Sequence, residues 1–216
     1  MRRSGLIKLA VGLVALGGLG VLFVRSARSV RAEPFEVGRD RLARWTLALE
    51  PPPNASGVVL ALRPQRELAS ALFNQVFART GESLSSPVPA EMPLVLQSEF
   101  AGRVPGTLAL EALLDVARMA GLESPAFEPR CMAHRRVSQP GTTRQVYFVL
   151  FEWSAFDQFR RQLVQRMRDA GGSASAYDPN ALSPVLIVAA TDAAFSRWLP
   201  LRADADEDCF APIALK

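Results

Sequence analysis

Sixteen residues, Leu9 to Val24, pass without a charge between Lys8 and a stretch that carries Arg25, Arg28 and Arg31. No other feature restricts the chain as much, because an uncharged run of this length must find an apolar surrounding. As a helix it spans roughly 24 Å, short of a ~30 Å hydrocarbon core. Extended back to Leu6 it holds 19 residues. That is roughly 28 Å, enough to cross if Lys8 snorkels its ammonium to the headgroups. We therefore read residues 1–24 as an N-terminal transmembrane signal-anchor, with lipid as its partner. A cleaved secretory signal is the alternative, since Arg2, Arg3 and Lys8 form an n-region and Val30-Arg31-Ala32 offers a cleavage site. Two features weigh against cleavage. The run exceeds the usual span of about 7–15 residues, and three arginines crowd the cleavage region. Gly12, Gly17, Gly18 and Gly20 include no pair four apart, so the GxxxG dimerisation pattern is absent.

Cations flank both ends of the run, so charge alone does not orient it. A very short N-terminal tail before a signal-like segment usually stays in the cytoplasm. The expectation is a single-pass protein of the cytoplasmic membrane with its domain on the extracytoplasmic, periplasmic side. The reversed topology is the alternative.

Charge placement excludes one function class. The net charge is +4, but residues 1–32 hold six of the 25 cations and no acid. The other 19 cations face all 21 acids, so residues 33–216 carry about −2. The basicity belongs to the N-terminal segment, where it acts on topology and anionic lipid. A nucleic-acid partner is not expected, because such a binder carries its positive field on the folded domain. Arginine outnumbers lysine 23 to 2, which we attribute to a GC-rich bacterial genome.

Beyond the anchor, residues 25–41 read as a tether and residues 42–200 as a single α+β domain. Residues 201–216 read as an acidic peripheral tail. "RWTLALE" (44–50) alternates as a half-buried strand, and "VVLALR" (58–63) follows after "PPPNASG". Pro64 suits the first turn of a helix that carries Leu68, Leu72, Phe73, Val76 and Phe77 and stops at Gly81. A Ser/Pro loop (82–91) leads to a strand at 93–100. Thr107 can cap a helix through Leu110, Leu113, Leu114 and Ala117. Two strands, about 130–138 and 145–152, form the best hairpin. Ser154 and Asp157 then start a helix with Phe156, Phe159, Leu163 and Met167 on one face, ending near Gly171 and Gly172. "PVLIVAA" (184–190) is a central strand, and Thr191 can cap a last short helix with Phe195 and Trp198.

Two strand–helix–strand units, 58–100 and 145–190, should each cross over right-handed around one mixed sheet. The expected fold is a two-layer α+β sandwich, ferredoxin-like or an elaboration of it, with a three-layer α/β sheet as the alternative. By architecture alone this plan resembles the bitopic subunits of pilus and secretion platforms. No motif carries that comparison.

Several chemistries are excluded. The chain has one histidine, His134, and two cysteines, Cys131 and Cys209. HExxH, CxxC, haem-attachment and four-cysteine zinc motifs therefore cannot occur. Dinucleotide-binding, Walker-type and GxSxG motifs are also missing. Cys131, Met132 and His134 are the only soft ligands in one stretch, and copper(I) would suit them. On a strand, however, Met132 and His134 share a face and Cys131 points away, so neither a metal site nor a His134-activated Cys131 nucleophile assembles. The expectation is no metal and no cofactor. A disulfide between Cys131 and Cys209 is open in an oxidising compartment, with two separate core thiols as the alternative.

The run Asp204 to Asp208 resembles the start of a calcium loop, but Cys209 stands where glycine is needed and Leu215 where a bidentate acid is needed. Asn54-Ala55-Ser56 matches a glycosylation sequon, taken as chance. Glu50, Glu82, Glu99, Glu128 and Glu152 lie near strand ends or loops, where sites form. The loop 81–91, with Ser83, Ser85 and Ser86, is a candidate wall for a ligand cleft. Without a catalytic motif, the expected function is an anchored protein-binding or envelope-assembly module that pairs with a partner or itself. The alternative is an anchored enzyme or small-ligand receptor with a site of scattered polar residues. A pocket with convergent polar groups would favour the second.

Overall fold

The computed structural model describes residues 33–100, 110–123, 126–169, 178–199 and 201–216. The chain separates into two compact units, Met1–Glu33 and Pro34–Lys216, and every element below belongs to the second. The expected anchor (1–24), the start of the tether, Thr107, Gly171 and Gly172 lie outside the described residues. Among the described residues no helix is long and apolar enough to cross a membrane.

The domain is mixed α+β. Its strands are β1 (Phe35–Val37), β2 (Trp45–Leu49), β3 (Val58–Pro64), β4 (Met92–Leu96), β5 (Glu128–Gln139), β6 (Thr142–Glu152), β7 (Val185–Ala190) and β8 (Cys209–Leu215). Its α-helices are α1 (Arg39–Leu42), α2 (Arg66–Thr80), α3 (Gln97–Phe100), α4 (Leu110–Met119), α5 (Ser154–Asp169) and α6 (Ala205–Asp208), with one 3₁₀ turn at Phe195–Trp198. The strands divide into two sheets, ordered β1-β8-β5-β6-β7 and β2-β3-β4, rather than one. Among the described strands, β1 and β8 pair in parallel and the other pairs run antiparallel.

The local signals explain most elements. Leu68, Leu72 and Val76 recur at helical spacing and are buried along α2. Gly81 ends the helix at φ +62°, a left-handed conformation that glycine adopts without strain. The helix begins at Arg66, because Pro64 closes β3 instead of opening the helix. Gly141, at φ +80°, turns β5 into β6.

Both expected right-handed crossovers are corrected. β3 pairs antiparallel with β4, and β6 antiparallel with β7. In the first unit the cause is the Ser/Pro segment 82–91. Ten residues reach about 33 Å, longer than the roughly 22 Å of a 15-residue helix, so the chain can return to the far end before β4 begins. On the way Ser85 bonds to Ala190 of β7 in both directions. The strand expected over 93–100 stops at Leu96 and turns into α3, where the Leu96 amide donates to Glu99 Oε2 at 2.9 Å.

The tether and the tail are corrected as well. Residues 35–37 form β1 and residues 39–42 form α1. The residues read as a peripheral tail supply α6 and β8, an interior strand. β8 pairs first with β5, through Cys209 to Pro212, and then with β1, through Ile213 to Leu215. Pro212, which has no amide hydrogen, falls where pairing passes from β5 to β1, before the β1 ladder begins.

The larger sheet is buried on both faces. Met132, Tyr147, Val149, Phe151, Leu186 and Val188 join β3, β4 and the helices in the main core. There Phe127 contacts Trp45, Phe151 and Trp153 edge-on, with centroids 5.0, 4.7 and 5.0 Å apart. The opposite face buries Cys131, Ala133, Val146, Phe148 and Ile187 under Trp198 and Leu201. Phe148 is 0% exposed, and its burial is favourable by about 2–3 kcal/mol.

Candidate functional site

The site is an open cleft of about 520 Å³, bounded by the start of β3, β7, the segment 193–199 and the loop 87–93. Its size falls within the roughly 300–1,000 Å³ of small-molecule sites. Most of the lining is apolar: Val58, Pro87, Pro93, Ile187, Phe195 and Leu199. One wall carries Glu50, Ser56, Arg63 and Glu91.

Sheet register assembles that wall. β3 and β4 pair Leu62 with Met92, so the next antiparallel positions, Arg63 and Glu91, face each other. Glu50 follows β2, and its amide donates to the Val59 carbonyl at 2.9 Å. Arg63 donates from Nε and Nη2 to Glu91 Oε2, at 3.3 and 3.2 Å, and from Nη2 to Glu50 Oε1. Ser56 Oγ lies 3.4 Å from Glu50 Oε2.

Asn54 holds the loop that presents Glu50 and Ser56. Its Nδ2 donates to the carbonyls of Glu50 and Val58, at 3.2 and 2.9 Å. Its Oδ1 accepts from the Gly57 amide at 2.8 Å and from Ser56 Oγ at 3.0 Å. Asn54 is thus a loop staple with a structural role.

The electrostatics are unbalanced. Burial pushes the Glu91 carboxyl above its ordinary range, although Arg63 pulls the other way. Burial also opposes the Arg63 charge, but its hydrogen bonds to Glu50 and Glu91 outweigh that and hold its pKa up. Two carboxylates share one guanidinium, which stands between them. That space is not open to a scissile bond, so the acids are not arranged as an acid–base pair across a substrate.

The residues singled out from sequence separate. Cys131 and Cys209 form a disulfide across β5 and β8. Cys131 therefore offers no thiol to a metal or a substrate. Met132 is fully buried on the other face. His134 shares that face, stacks on Tyr147 at 4.6 Å and meets Gln145 Oε1 through Nε2 at 2.9 Å. Among the described residues no three His, Cys, Asp or Glu side chains gather as a metal cage.

Of the five glutamates, Glu50 lines the cleft. Glu82 accepts from the Tyr147 hydroxyl at 2.9 Å, Glu99 pairs with buried Arg160, and Glu152 pairs with Arg130 at 3.0 Å. Glu128 stands opposite Glu152 at the end of the β5–β6 ladder. The loop 81–91 does wall the cleft, but through Pro87, Val88, Pro89 and Glu91 rather than its serines. Thr191 accepts from the Gln145 amide at 3.0 Å instead of capping a helix. The acidic run is likewise structural. Asp204 caps α6, and buried Asp208 accepts from Arg135 Nε at 3.0 Å.

Sequence reasoning missed Arg63 and Glu91. The available signal was register, since each lies at the end of a strand beside the loop already suspected. Comparison with family models, curated proteins and solved structures finds no match. Fold and site together define a mixed α+β domain with an open, polar-walled cleft.

Proposed function

We propose that this chain is a membrane-anchored, extracytoplasmic binding protein whose cleft receives a small ligand. In this reading residues 1–24 are the retained lipid-spanning helix. The domain is a two-layer elaboration of a sheet-and-helix sandwich facing the periplasm. The observation that carries the binding role is the cleft itself, about 520 Å³ with an apolar lining and Glu50, Ser56, Arg63 and Glu91 on one wall. The Cys131–Cys209 disulfide supports an oxidising compartment, consistent with export. The protein-binding or assembly reading has less support. The exposed apolar residues Phe77, Val88, Met119 and Val137 stand on four different segments, a scatter ordinary for a monomer surface.

Two measurements test the reading. In spheroplasts, protease should digest the domain from outside, and carbonate washing should leave the chain in the membrane. Release into a lipid-free extract, or protection from protease, would remove the anchor or the orientation. An NMR screen of small organic compounds should move amide signals of Ser56, Ala193 and Phe195. Hits confined to the α4–α5 groove around Val116 and Gln162 would move the site elsewhere.

A further inference from the structure

The cleft also indicates what it binds, on the reading that it is a ligand site. We infer that its ligand is a small organic cation, an amine or guanidinium joined to an apolar body. The cation enters beside Glu50 and Glu91, and the body lies against Pro87, Pro93, Ile187 and Phe195. The first argument is charge. The wall holds two carboxylates and one guanidinium, and Arg63 engages one oxygen of each carboxylate. The other residues that line the cleft bring no compensating cation, and Arg197, within the segment 193–199, is not among the lining residues. Pro87 to Pro89 are uncharged, and so are Ala193, Ala194, Phe195 and Ser196. Asp192, beside them, is answered by Arg144 at 3.6 Å and leaves that balance unchanged. A cationic ligand supplies the positive charge that this arrangement lacks.

The second argument is shape and burial. Glu91 is only 13% exposed at its side chain, against 36% for Glu50. A carboxylate so enclosed costs free energy unless a charge answers it, and a desolvated cation in a small cleft does so more strongly than water. Burial already disfavours the Glu91 charge, and a bound cation would reverse that. The other lining residues are apolar apart from Ser196, three prolines among them. A flat or branched hydrocarbon body fits them, and a fully polar ligand would leave them wetted.

The test uses the purified full chain in detergent and three probes with one body: 4-phenylbutylamine, 4-phenylbutan-1-ol and 4-phenylbutyrate. Binding is followed by amide shifts at Ser56, Ala193 and Phe195. The amine should bind at least about tenfold more tightly than the alcohol, a difference of about 1.4 kcal/mol, and the acid most weakly. Glu91→Gln and, separately, Glu50→Gln should bring the amine toward the alcohol while leaving the alcohol unchanged. Thermal midpoints near that of the parent would show both variants folded. Equal binding of amine and alcohol at the cleft would overturn the cation but leave the ligand site standing. Tightest binding of the acid would overturn it in favour of Arg63 as the recognition group. If none of the three moved the cleft signals, the site and the cation would fall together.

Discussion

Two arginines in this domain meet glutamate, and they end in opposite conditions. Arg160 of α5 has a side chain 1% exposed and faces Glu99 with Nη2 to Oε1 at 2.6 Å and Nη1 to Oε2 at 2.9 Å. It also donates to the carbonyls of Leu94, Asp178 and Pro179, and Glu99 accepts the Leu96 amide. Each oxygen of Glu99 meets its own guanidinium nitrogen, and backbone carbonyls accept from the same group. Arg63 is 28% exposed, carries two carboxylates and borders an open cleft. The same chemical pair therefore serves as a closed strut in one place and as an unsaturated, ligand-facing wall in the other. Saturation distinguishes them, and burial alone does not: Glu91 is nearly as enclosed as Glu99.

Five variants can break or sharpen this contrast. The largest effect belongs to the closed pair. Arg160→Met leaves Glu99 buried without its cation and should cost about 3–5 kcal/mol in urea unfolding. Adding Glu99→Leu to it should recover much of that loss, because an apolar pair asks for no charge. If Arg160→Met costs no more than a surface change, the strut description is wrong.

The disulfide closes a loop of 78 residues, so Cys131→Ser with Cys209→Ser should cost about 4 kcal/mol by loop entropy. An unchanged midpoint under reducing and oxidising conditions would refute it.

Glu91→Gln leaves an amide oxygen to accept from Arg63, which also keeps Glu50, so stability should change by only about 1 kcal/mol, and its pH dependence has a definite sign. Burial raises the folded-state pKa of Glu91. Its proton thus favours the fold at pH below the ordinary carboxylate range, and that contribution disappears as pH rises through the raised value. Above that value the Gln variant should match or exceed the parent, and the advantage should vanish in acid. An advantage of the parent at neutral pH would reverse the assignment. The smallest effect is at the surface, where Arg118 meets Glu123 at 2.8 Å and Asp115 at 3.6 Å in full solvent. Arg118→Ala should leave the unfolding midpoint unmoved.

Most of the scaffold was legible in the residues. Trp45, Leu47 and Leu49 alternate and form β2. Phe156, Phe159, Leu163 and Met167 recur at helical spacing and are buried along α5. Periodicity reports which face is buried, however, and does not report which strand lies alongside. The antiparallel order of β3 and β4, the split into two sheets and the place of β8 all depend on long-range pairing. β8 was further disguised by the acids before it and by Pro212 within it. The cleft was half legible. Its loop and Glu50 stood out by position, but Arg63 and Glu91 are 28 residues apart and meet only through register. Cys131 and Cys209 likewise needed β8 beside β5 before their pairing could be read.

The last strand has a consequence for biogenesis. β1 is the first of the described strands in chain order, and its partner among them is Ile213 to Leu215 of β8, which lies far along the chain. The Arg39 and Lys216 backbones also bond at 3.0 Å. The five-stranded sheet therefore cannot close until residues 213–215 have left the ribosome or a translocation channel. Assembly must wait for β8, and a truncation that removes residues 213–216 would strand β1 without a mate.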